Sequence, residues 1–339
     1  MPVQTYAEAL VDALYDSLAA DPRVSLIGSY VLGLGPQRQL MDRVRKDFPD
    51  RIVDPPTAEA GAAATGVGAA MAGVRPFVDL GTGSFPYLAW SQIVNEAAVS
   101  CYMSDGRIPV PVTFHLLHGV RGAGAPQHSH SPQAMLCNAP GLEIVAPASA
   151  ADVYGLVRTA FQSQNPTVVV SHAKLLGIES EVPGEKQPIP LGRAEIKRSG
   201  RDVTIVANSF MTHMSLAAAT TLADESIEAE VVDLRTLSPL DEATILSSVA
   251  RTGRLVVVDE CPLRCGIASE IAAVVAEHGL ELLKAPVARV TRAQVPVPYS
   301  PPLEAAVTPD AAKIVAAVKR TLSMRVSAAS ATTLGGSGY

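Results

Sequence analysis

The chain has 339 residues, a net charge of −6 and 48% hydrophobic residues, of which only 4% of the chain are aromatic. That length suits two ordinary domains, and the acidic balance with no long basic run argues against nucleic acid or an anionic membrane as a partner. No stretch reaches the roughly 18 uninterrupted apolar residues of a membrane span.

The N-terminal stretch MPVQTYAEALVDALYDSLAADPR is an amphipathic helix pattern with acidic residues, unlike a targeting peptide. The four cysteines, Cys101, Cys137, Cys261 and Cys265, are too scattered for a disulfide framework. The CPLRC pair at 261–265 lacks the second pair that a structural zinc site needs, so all four read as reduced thiols in a cytoplasmic protein.

Short apolar, β-branched runs follow in order: VSLIGS (24–29), RIVDP (51–55), RPFVDL (75–80), IPVPVTFH (108–115), LEIVAP (142–147) and TVVVSH (167–172). Helical patterns separate most of them, including residues 58–73 and 91–103. Continuous apolar strands alternating with helices indicate an α/β fold with a parallel sheet covered on both faces. Residues 177–201 break the rhythm with Pro, Gly and charge, and the alternation resumes with DVTIVANS, AEVVDLRT and RLVVVDE. The expected organisation is a first domain over 1–180, a linker over 181–201, a smaller α/β domain over 202–323 and a low-complexity, disordered tail over 324–339.

GLGPQR (33–38) and GVGAAM (66–71) each carry the first two glycines of a dinucleotide fingerprint, but Arg38 and Met71 stand at the third place. Neither opens a helix directly after a strand, so a dinucleotide site is not supported.

Two features carry chemistry. Thr57 is a plausible helix N-cap, which puts Glu59 in a first turn whose dipole favours a carboxylate. Glu59 then serves either its own helix or a site at the carboxyl edge of a parallel sheet. Four of the seven histidines, His115, His118, His128 and His130, fall within sixteen residues. His115 is expected to end a strand and the other three to lie on a Gly-rich loop. Metal ligation, acid–base work and ordinary loop polarity all remain open for them on spacing alone.

Several stretches together resemble one family: DPPTAEAGAAATGVGAAMAGVRPFVDL, QIVNEAAVSCYMSDG, GAPQHSHSPQA, PGLEIVAPASAADVYGLV, VDLRTLSPLD and APVARVTRAQVPVPYSPPLE. They look like the beta subunit of thiamine-diphosphate-dependent 2-oxoacid dehydrogenases, from about residue 4 to residue 320. The resemblance implies a transketolase-like pyrimidine-binding domain followed by a transketolase C-terminal domain. It implies an alpha subunit that holds the cofactor diphosphate through Mg²⁺, as two alpha and two beta chains, and a lipoyl-bearing acyltransferase as a further partner.

It also implies residue roles. Glu59 would hydrogen-bond the aminopyrimidine ring and favour the imino tautomer that deprotonates the thiazolium carbon. Phe85 would pack on the pyrimidine, and His128 would handle protons near the 2-oxo acid or the incoming acceptor, which favours acid–base work among the three alternatives. Backbone carbonyls of Val112, Ala160, Phe161, Ser163 and Asn165 would surround a structural K⁺. The chain departs from the family at Ser29, His115, Leu117, Ser171, Leu176 and the CPLRCGIASE stretch, which suggests a specialised substrate or acceptor. A split transketolase-like ketol transferase and a non-catalytic assembly subunit are the rival readings.

Overall fold

The computed structural model describes residues 2–28, 36–184 and 187–324. Ser29 and residues 325–339 of the expected tail lie outside the described residues. Strands in chain order are β1 (Val3–Thr5), β2 (Val24–Ile27), β3 (Ile52–Val53), β4 (Arg75–Thr82), β5 (Thr113–His118), β6 (Glu143–Val145) and β7 (Thr167–His172). They continue with β8 (Glu179–Glu181), β9 (Glu195–Arg198), β10 (Val203–Ala207), β11 (Ala229–Asp233), β12 (Thr236–Ser238), β13 (Leu255–Pro262) and β14 (Ala288–Arg292).

The first sheet has the order β12-β6-β7-β5-β4-β2-β3, with every pair parallel except β12 against β6. Every residue of β5 and β7 is buried, as expected of strands covered on both faces. One face packs against helices Tyr6–Ala20 and Ala150–Ala160, and the other against helix Glu59–Met71 and the segment from Ser91 to Met103. Local sequence sets these helix starts. Thr5 and Glu8 form a reciprocal capping box, and the Ser149 hydroxyl accepts from the Asp152 N–H. The segment expected as a plain helix over 91–103 opens with a π-helical turn, Ser91–Ala97, before its α-helical part, Ala98–Met103. Nothing in its apolar spacing signals that turn.

The second sheet has the order β14-β13-β10-β11-β9, parallel except for the edge strand β9. Two features cross the expected boundary. Residues 195–198, placed in the linker, form β9 of the second sheet, and β12 leaves the second domain to complete the edge of the first sheet. A buried ion cluster fastens the same junction. Asp152 of the first domain meets Lys197 at 3.1 Å and Arg235 at 2.8 Å, while Arg235 also pairs with Glu195.

Candidate active site

Glu59 is the first residue of helix Glu59–Met71, directly after β3 at the carboxyl edge of the first sheet. The N-cap is Ala58 rather than Thr57, and no side chain caps the helix, because the backbone of Ala58 takes the flanking conformation and Thr57 remains exposed. Glu59 is the acidic residue of the first turn, whose free N–H groups favour a carboxylate. It is 6% exposed and has no side-chain hydrogen bond or ion pair among the described residues.

Phe85 opens a short 3₁₀ turn, Phe85–Tyr87, just beyond β4, and helix Glu59–Met71 packs against that turn. His128 closes another 3₁₀ turn, Pro126–His128, in the loop after β5. The two side chains meet edge to face, with ring centroids 5.7 Å apart. Tyr87 and His130 repeat the arrangement at 5.4 Å, and the Ser84 hydroxyl donates to the Gln127 carbonyl, tying the two loops together. The structure thus brings Phe85 and His128 into contact and sets the Glu59 helix beside them.

The loop bearing His128 has an unusual backbone. Gly119 and Gly122 are left-handed, and so are Ala123 and Ala125, where a side chain makes φ near +55° costly by about 1–3 kcal/mol each. Such strain persists only where surrounding structure over-determines it, and the anchors are visible. The Val120 N–H donates to Glu260 Oε1 at 2.6 Å, the Gly122 N–H donates to Glu304 Oε1 at 2.9 Å, and the Cys261 thiol donates to the Ser131 carbonyl at 3.4 Å. All three anchoring residues belong to the second domain.

The other two histidines of the cluster differ from expectation. β5 runs on to His118, so His115 and His118 are interior strand residues, 0% and 1% exposed. The strand continues because it pairs through both positions with β7. His115 faces Asp79 at 3.6 Å and Ser171 at 3.0 Å, and the Ser171 hydroxyl meets the Tyr6 hydroxyl at 2.8 Å. Two of the departures from the resemblance, His115 and Ser171, are thus hydrogen-bonded partners. His118 contacts Ser209 at 3.1 Å and lies edge-on to His172. Burial, reinforced by His172, lowers the His118 pKa to about 3, which keeps the ring neutral. Among the described residues no group of three or more His, Cys, Asp or Glu is placed to hold a metal ion.

The implied K⁺ ligands lie together but are partly committed. Arg75 Nη1 donates to the Phe161 carbonyl at 2.8 Å and to the Ser163 carbonyl at 2.7 Å, so a guanidinium is the positive partner of two of the five. The Val112 carbonyl accepts from the Thr167 N–H and the Ala160 carbonyl from the Ser163 N–H. The group fits a potassium ion less well than the resemblance implies.

Sequence reasoning missed His172, Glu260 and Glu304. Glu260 had a signal: it ends the run VVVDE, where a carboxylate at the close of an apolar parallel strand lies at the functional edge of its sheet.

Comparison with known proteins decides the family. The transketolase pyrimidine-binding domain matches residues 3–178 and the transketolase C-terminal domain matches residues 192–314. The beta subunit of acetoin:2,6-dichlorophenolindophenol oxidoreductase from Cupriavidus necator is 39% identical, over 93% of this chain and 96% of its own length. The chain belongs to the 2-oxoacid dehydrogenase beta-subunit family. A pyruvate dehydrogenase E1 component subunit beta from Rickettsia conorii is 38% identical, over 93% of this chain and 97% of its own. A mitochondrial pyruvate dehydrogenase E1 component subunit beta-1 from Arabidopsis thaliana is 40% identical, over 93% and 88% respectively. Among solved structures, a split-gene transketolase described as an inactive beta4 tetramer superposes with a TM-score of 0.80 at 26% identity, covering 95% of this chain and 99% of that one. This beta-type chain therefore carries both transketolase-type domains in family order.

Proposed function

We propose that the chain is the beta subunit of a thiamine-diphosphate enzyme that decarboxylates a 2-oxo acid and passes the acyl or aldehyde unit to an acceptor. The observation that carries this reading is Glu59: a buried carboxylate without a partner among the described residues, at a helix start on the functional edge of the sheet. When bound, the cofactor supplies the electron sink for decarboxylation. Glu59 would hold a proton shared with a ring nitrogen of the cofactor, which requires a carboxylate that is not already paired. Phe85 would pack on the aminopyrimidine face. His128, exposed beside Phe85, would exchange protons with the substrate or the incoming acceptor.

The alpha subunit is part of the proposal, as two alpha and two beta chains in the cytoplasm, with Mg²⁺ and the diphosphate held mainly by alpha. Leu88, Tyr102, Met103 and Ile108 expose apolar side chains close together in sequence, as a surface covered in an assembly would. A lipoyl-bearing acyltransferase is proposed as the acceptor. A potassium ion, where bound, would rely on the carbonyls of Val112, Ala160 and Asn165 together with lone pairs that Arg75 leaves on Phe161 and Ser163; unfolding in KCl against NaCl at equal ionic strength tests it.

The likeness to a split transketolase favours ketol transfer between sugars as the second reading. Co-expression with an alpha-type chain and a screen of 2-oxo acids against ketose phosphates separates them: turnover of a 2-oxo acid is expected, and turnover of ketose phosphates alone would replace the first reading with the second.

A further inference from the structure

Glu260 ends an apolar run in β13 of the second sheet, yet its carboxylate serves the first domain. Oε1 accepts the Val120 N–H at 2.6 Å, and Oε2 faces His172 Nε2 at 2.9 Å. The Lys174 N–H donates to His172 Nδ1 at 3.0 Å, so the ring proton is on Nε2 and points at Glu260. His172 is itself held, stacked on Phe210 with centroids 4.9 Å apart. Burial opposes ionisation of Glu260, but the opposing influences, His172 the largest of them, bring the pKa down to about 2.

A charged carboxylate that is 2% exposed is an expensive way to fill space, and one of its oxygens holds the start of the loop while the other is held by His172 of β7. Glu304 repeats the device two residues further along, through the Gly122 N–H. Between these anchors and His128 lie the two left-handed alanines, Ala123 and Ala125.

We propose that Glu260 is a positioning residue for His128: it clamps the first peptide of the strained loop from the opposite domain and so sets the histidine against Phe85. The inference rests on the acid–base role proposed for His128. Glu260 does not touch substrate or cofactor; it acts through the loop, with His172 fixing its orientation.

The test uses the assembled alpha–beta complex and the variants His128→Ala, Glu260→Ala, Glu260→Gln and the double variant His128→Ala/Glu260→Ala. Three quantities are read: kcat with a 2-oxo acid and a dye acceptor, KM for that acid, and hydrogen–deuterium exchange at the thiazolium C2 of bound thiamine diphosphate. Glu260→Ala is expected to lower kcat about tenfold or more, towards the loss seen in His128→Ala, because correctly placed acid–base groups contribute roughly 10²–10⁴-fold. C2 exchange is expected to stay at the wild-type rate, since Glu59 is untouched. The double variant is expected to be no slower than His128→Ala, because Glu260 has nothing left to position. Glu260→Gln keeps an oxygen for Val120 but turns an N–H₂ towards the His172 N–H, so it is expected to fall between wild type and Glu260→Ala and to remain testable should the alanine variant fold poorly.

Multiplying losses in the double variant, or a fall in C2 exchange with Glu260→Ala or Glu260→Gln, would overturn the positioning role and leave Glu260 a general support of the fold. Failure of the underlying function looks different. It would show as a wild-type complex that does not turn over 2-oxo acids, or as full turnover in His128→Ala, and either result removes the proposal as well.

Discussion

Gly119 sits where the loop after β5 passes closely over His172 of its own domain and Glu260 of the other. A Cβ there would lie 2.1 Å from His172 Nε2 and 2.9 Å from Glu260 Oε1, and its φ of +89° is left-handed. Two penalties therefore add in Gly119→Ala: about 1–2 kcal/mol for an L-residue in the left-handed region, and about 1–3 kcal/mol for overpacking, since His172 is pinned by Glu260 and Phe210 and cannot yield. At about 2–4 °C per kcal/mol for a domain of this size class, the melting temperature should fall by roughly 10 °C.

Two other glycines separate the terms. Gly106 has φ of +75° with nothing among the described residues within 4 Å of a built Cβ, so Gly106→Ala should show the conformational penalty alone, roughly 2–8 °C. Gly177 has neither problem, and Gly177→Ala should leave the melting temperature within about 2 °C. Differential scanning fluorimetry on the alpha–beta complex, with circular dichroism to confirm folding, reads all three. Equal losses in Gly119→Ala and Gly106→Ala would refute the steric argument and, with it, the tight seating of His172 under the loop.

Asp233 offers a pH test. Burial first, and then the nearby Asp152, raise its pKa from 3.8 to about 7. The folded state then holds a proton that the unfolded state has already lost, so this contribution to stability is full below about pH 4 and disappears as pH rises through 7. Asp233→Asn removes that component: its melting temperature should gain on wild type between pH 5 and pH 8, and parallel curves would contradict the assignment. Arg75→Met deletes two charge-assisted hydrogen bonds, to the Phe161 and Ser163 carbonyls, each worth about 1.5–3 kcal/mol. A loss of several degrees in melting temperature is expected; an unchanged value would mean that those carbonyls are satisfied by something other than the guanidinium.

The sheet strands were legible because each is a short β-branched run, and a fully covered parallel sheet leaves no alternation to confuse the reading. Helix starts such as the one at Tyr6 carry their own caps. What the sequence concealed was long-range. β12 looks like the tail of an α/β unit, and only the paired geometry shows it closing the first sheet. β5 was expected over 108–115 and spans Thr113–His118, so its end was placed too early. His118 looks like a loop residue, yet it is buried against the hydroxyls of Ser131 and Ser209, while Ser171 meets His115 Nε2. Glu59 and His128 stood out through local chemistry and resemblance together. Glu260 did not, because its meaning lies in a backbone N–H some 140 residues away in the chain.

The central claim is that Glu59 controls the proton at the cofactor's reactive carbon. Hydrogen–deuterium exchange at the thiazolium C2, measured in the alpha–beta complex loaded with thiamine diphosphate and Mg²⁺, tests this directly in wild type and in Glu59→Gln, which keeps the side chain's size and removes its charge. Rapid exchange in wild type and a loss of at least about 10²-fold in the variant, with cofactor still bound and the fold intact, is the predicted result. Equal exchange in the two proteins would contradict the account.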